Sequence, residues 1–111
     1  MLDKDIAIRF LFLGMAKSVI RLDIKNIQNG SFKIKDLYIS QLEKMHTIAT
    51  NERRKLNKIM WDKKISIIFI DKDTTMSNYK LIYNGREEII FYSSYSIRRH
   101  VKEILEELMK K

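Results

Sequence analysis

The chain has no proline and only three glycines, Gly14, Gly30 and Gly85. These two residue types interrupt regular backbone most readily, so a 111-residue chain this poor in both is restricted to a few long elements with few sharp corners. That length accommodates one modest core and therefore one domain, residues 1–111. Apolar residues make up 45% and charged residues 32%, a balance that suits a folded chain.

Apolar periodicity places the first helix from about Asp3 to Gln28. Asp3 or Asp5 is suited to cap its start, and Asn29-Gly30 offers a left-handed residue to stop it. Two apolar seams run along it. One is Ile6, Phe10, Leu13, Ile20, Ile24 and Ile27, and the other is Ile8, Leu11, Phe12, Met15, Val19 and Leu22. A surface helix of a small domain buries one stripe, not two. Either the fold wraps this helix or its second seam meets another copy. The chain has little material for wrapping, so the expectation is a homodimer through helix one.

Ser31 to Lys35 alternates polar and apolar residues and reads as a short edge strand, with Asp36 as the N-cap of the second helix. That helix, Asp36 to Trp61, carries the seam Tyr38, Leu42, Met45, Ala49, Leu56 and Ile59 or Met60. It is either one long helix or a pair broken near Thr50-Asn51, where neither residue favours a helix interior. A break would give the element order of a winged helix-turn-helix, with Asn51 to Lys64 as the second helix and the hairpin after it as wing.

Lys64 to Ile70 is β-branched and reads as a buried strand, and Asp71 to Asn78 as a polar loop. Tyr79–Tyr83 and Arg86–Tyr92 flank Asn84-Gly85, the strongest short hairpin signal a sequence can carry. Ser96 is placed to cap a last helix with the seam Ile97, Val101, Ile104, Leu105 and Leu108. The fold expected is thus α+β: a long N-terminal helix, a second long helix or helix pair, a three-stranded antiparallel meander and a C-terminal helix.

The formal net charge is +8. Much of the excess falls on one side of the second helix, where Lys44, Asn51, Arg54, Lys55 and Lys58 lie opposite the seam, with Lys63 and Lys64 beyond Trp61. Folding requires the seam but not a basic far side, which points to a polyanion or an acidic protein partner, the alternative being a solvated face whose charge keeps a small protein soluble. Lysine and arginine neutralise phosphates, and asparagine can bond backbone oxygens or a base edge. Arg98 and Arg99, near the start of the last helix among Ser93, Ser94, Ser96 and His100, either pair with Glu103 or with Glu87 and Glu88 of the neighbouring strand or serve as auxiliary phosphate contacts.

Other chemistry finds no footing in the sequence. Without cysteine there is no disulfide framework, thiolate metal site or thiol nucleophile, and a cytoplasmic setting is expected. His46 and His100 have no second ligand at metal-binding spacing. Asp71 and Asp73 lack the glycine and glutamate of a calcium loop. Glu87 and Glu88 adjoin on a strand and so face opposite ways, unlike an acid–base pair. The aromatic residues Tyr79, Tyr83, Phe91, Tyr92 and Tyr95 read as cross-strand packing more readily than as a base-stacking platform. The apolar run Ile6 to Ala16 is too short to span a bilayer, and no signal-peptide cleavage pattern comes after it. The expectation is a small non-catalytic protein without cofactor or metal, DNA-associated or regulatory. The alternative is a homo-oligomeric interaction module using the apolar N-terminal helix.

Overall fold

The computed structural model describes residues 2–111. Its elements are α1 (Asp3–Asn29), α2 (Lys35–Lys63), β1 (Ser66–Lys72), β2 (Met76–Tyr83), β3 (Arg86–Ser93) and α3 (Ser94–Met109). This is the α+β layout expected, with the strands in the order β1-β2-β3 as an antiparallel meander. Helices of 27 and 29 residues rise about 40 Å each at 1.5 Å per residue. They pair as a hairpin that sets the long axis of a body measuring 52 × 32 × 19 Å. The radius of gyration, 15.7 Å, exceeds the roughly 13 Å typical of this length, as a projecting helical hairpin requires.

The fold wraps α1. Ile6, Ala7, Phe12, Leu13, Ala16 and Ile20 are buried, and Ile8, Phe10, Leu11, Met15 and Val19 pack partly buried against the same core. Both seams are therefore covered, by α2, α3 and the sheet. Of the second seam only Leu22 stays exposed. The reason for expecting a dimer through helix one is gone, because the surplus apolar face is closed off within the chain.

The α1–α2 connection departs from expectation. Gly30 ends α1 with φ −95° and ψ −178°, an extended conformation and not a left-handed one. A Cβ there would lie 2.7 Å from the ring of Phe32, an exposed side chain with room to turn aside. Residues 31–34 form a turn and no strand, since no neighbouring strand lies beside them to take up their hydrogen bonds. Ile34, not Asp36, occupies the N-cap of α2, and Asp36 sits in the first turn, where its charge complements the helix dipole.

Across Thr50 and Asn51, α2 runs unbroken. Met45, Ala49, Leu56 and Met60 are buried along it as one stripe, and this continuous burial outweighs two weak helix formers. The winged-helix order is thereby excluded. The helix stops at Lys64, whose φ of 56° is left-handed and whose N–H reaches back to Met60 and Trp61 carbonyls.

The Asp71–Asn78 loop expected from composition is mostly strand. Its polar residues pack a tight turn in which the Asp73 carboxylate accepts from the Thr75 N–H at 2.8 Å, the Thr75 hydroxyl at 3.1 Å and the Met76 N–H at 2.8 Å. Asn84 and Gly85, at φ 52° and 71°, make the hairpin turn that their sequence announces. Ile67, Tyr79, Leu81, Ile90 and Tyr92 belong to the core side of the sheet. Ile68, Ile70, Ile89 and Phe91 are exposed. Ser93, not Ser96, caps α3, its hydroxyl accepting from the Ser96 N–H at 3.0 Å. No helix among the described residues is long and apolar enough to cross a membrane.

Candidate polyanion-binding surface

Because α2 is straight and continuous, residues spaced three, four and seven apart along it form a row. Lys44, Asn51, Arg54, Lys55 and Lys58 are all exposed, on the side away from Met45, Ala49 and Leu56. The row extends from Lys44 to Lys58, a rise of about 21 Å along the helix. Among the described residues there are five ion pairs, and none involves Lys44, Arg54, Lys55 or Lys58. Their charge is not spent inside the molecule. Glu43 and Asp62 are exposed nearby and temper the field at the two ends of the row.

Glu52, which in the sequence sits among these cations, borders a cleft with Asn51 and Lys55, but its carboxylate is engaged by Arg9. Its carboxylate accepts from Arg9 Nε at 2.7 Å and Nη2 at 3.0 Å. Arg9 also donates to Glu107 on α3 at 2.9 Å, so one guanidinium joins all three helices. That bonding holds the Glu52 carboxyl below the usual carboxylate range and raises Arg9 above its ordinary value.

The remaining candidates are dispersed. Lys63 lies within 3.2 Å of an Asp3 carboxylate oxygen at the start of α1, and Lys64 is exposed at the left-handed stop. Arg98 and Arg99 are exposed on α3, one turn later than expected because that helix begins at Ser94. No hydrogen bond or ion pair among the described residues joins them to the α2 row or to Glu87, Glu88 or Glu103. The core carries the histidine and aromatic chemistry. His100 stacks on Phe12 with ring centroids 4.6 Å apart, and its Nδ1–H donates to the Ser96 carbonyl at 2.7 Å. Tyr79 and Tyr92 pack edge-on at 6.3 Å.

A second cluster of cations was not visible in the sequence. Where α1 meets α2, Lys17 and Arg21 of the first helix face His46, Thr50, Arg53 and Asn57 of the second. The Arg53 guanidinium lies 3.9 Å above the Phe10 ring centroid, and its Nε donates to the Phe10 carbonyl at 3.2 Å. Gly14 makes room for it, since a Cβ there would come within 2.9 Å of the guanidinium. Burial, then the charges of Arg53, Arg21 and Arg54, hold Lys17 below its ordinary value. Burial and the neighbouring Lys17 and Arg21 likewise lower His46. The sequence signal for this cluster was Gly14 itself, a glycine in a helix interior that has no propensity reason to be there.

Comparison with known proteins is consistent in placing the chain. No solved structure matches it. It is similar to a Bacillus subtilis (strain 168) protein named "Uncharacterized protein YhjD", at 29% identity over 101 residues, covering 91% of this chain and 84% of the relative. The family model described as YhjD protein matches residues 2–111, and the chain therefore belongs to the YhjD protein family.

Proposed function

We propose that this protein is a non-catalytic nucleic-acid-binding protein that lays the exposed face of α2 against the phosphates of duplex DNA. The observation that carries the reading is the unpaired row: four cations in about 21 Å of rigid helix, none engaged by the protein's own acids. Phosphates succeed one another about every 3.4 Å of axis along one strand, so a row of this length can reach several of them. Asn51 stands in the middle of the row, and Thr47 is exposed beside it. Both have side chains suited to backbone oxygens or a base edge. Arg98, Arg99 and Lys64 add to the positive field and serve at most as auxiliary contacts.

Charge reversal in the combined variant Arg54→Glu, Lys55→Glu, Lys58→Glu tests the reading. All three side chains are exposed and unpaired, so the variant is expected to melt no lower than the parent while losing retardation of a DNA duplex in a native gel. Unchanged retardation by the folded variant contradicts the proposal.

A further inference from the structure

We propose that the seam between α1 and α2 is a seat for a single phosphate group, distinct from the outward row and sharing only Arg54 with it. Arg53, Arg54, Lys17, Thr50, Asn57 and Phe10 line an open cleft of 240 Å³ there. Arg53 is its principal donor. Stacked on Phe10 and fixed through Nε, its guanidinium is held by the fold before any ligand arrives, while neither Nη group bonds to a protein acceptor among the described residues. Pre-set, planar and doubly donating, it matches the oxygens of a phosphate in the way arginine does generally.

Two further observations at the residues of this cleft point to a ligand. The Thr50 hydroxyl, in the wall of the cleft, is buried without a hydrogen-bond partner among the described residues, and buried polar groups are ordinarily satisfied. In addition, Lys17, Arg53 and Arg54 crowd the cleft with no carboxylate among its lining residues. Such a concentration of like charge opposes folding unless an anion relieves it. Three cations favour a dianionic phosphate over a single carboxylate. The volume lies below the roughly 300–1,000 Å³ of pockets that enclose a whole organic ligand, so the phosphate enters and whatever it is attached to stays outside.

The test is thermal unfolding of the intact protein in potassium phosphate and in potassium chloride at matched ionic strength, with acetate as a monoanionic control. Phosphate is expected to raise the melting temperature saturably, and acetate and chloride are not. Arg53→Met should weaken the phosphate affinity at least tenfold. Gly14→Ala should do the same while leaving every charge in place, since its methyl displaces the guanidinium. The Lys44→Glu, Lys55→Glu, Lys58→Glu variant should keep phosphate affinity within about threefold while DNA binding fails, which separates this seat from the outward row. Absence of a phosphate-specific shift in the parent protein overturns the proposal. So does retention of that shift in both folded variants, Arg53→Met and Gly14→Ala. Competition then identifies the source of the phosphate. If phosphate displaces duplex at constant ionic strength, the seat grips the nucleic-acid backbone. If the duplex is indifferent, it takes a free phosphate-bearing small molecule.

Discussion

At the scale of single residues, charge is distributed between holding the fold and facing outward. Arg9 belongs to the first group: it is mostly shielded and satisfies Glu52 and Glu107 together. Arg9→Met strands Glu52 in a partly buried site. The expected loss is about 1–3 kcal/mol by chemical denaturation, between the values for exposed and fully buried pairs. His46 gives a pH signature. Its folded value lies below 6.5, so above that pH both folded and unfolded chains hold it neutral. As pH falls below 6.5 the unfolded chain gains a proton that the folded one refuses, and stability is lost until the folded value is passed. Denaturation between pH 7.5 and 5.5 should show this decline in the parent and a flatter profile in His46→Gln. Equal slopes would exclude His46 as its source. The sequence could suggest that His46 borders a seam, but not that Lys17 and Arg21 would stand against it, because the relative rotation of two helices is set by packing between them and not by the pattern within either.

At the scale of elements, local signals were legible where the chemistry is local. The Asn84-Gly85 turn needs two residues at positive φ, and the sequence states it outright. Gly85→Ala is accordingly expected to cost about 1–2 kcal/mol, although nothing stands within 4 Å of the added methyl, because the penalty is in the backbone. The Asp73 turn was harder to see, since its carboxylate bonds look in sequence like an unstructured polar stretch. The surroundings of helix one lay beyond its own pattern. Phe12, on the seam expected to meet a second copy, is 1% exposed and packs against Tyr92 and His100. Phe12→Ala should therefore lower stability by about 3–5 kcal/mol, measured by denaturant unfolding. A change in sedimentation with stability intact would restore the interface reading. Burial overrode propensity at Thr50-Asn51, and a continuous α2 is what makes a row of its cations possible.

At the scale of the molecule, a flat body 52 Å long carries a net charge of +8. The long helical hairpin presents much of that charge on two adjoining surfaces, the exposed row of α2 and the seam beside it. Composition made an anionic partner reasonable, and the helical period located the row. The seam depended on how α1 and α2 pack together, which was out of reach of either pattern alone. Electrostatic binding of this kind must weaken steeply with salt. The most direct measurement is the dependence of duplex-binding affinity on potassium chloride concentration for the parent and for the neutral variant Arg54→Gln, Lys55→Gln, Lys58→Gln. Each lost phosphate contact lowers the slope of log affinity against log salt by about 0.9, so the variant should be shallower by about 2.7. A parent that binds with a steep slope and a variant that reproduces it would contradict the account.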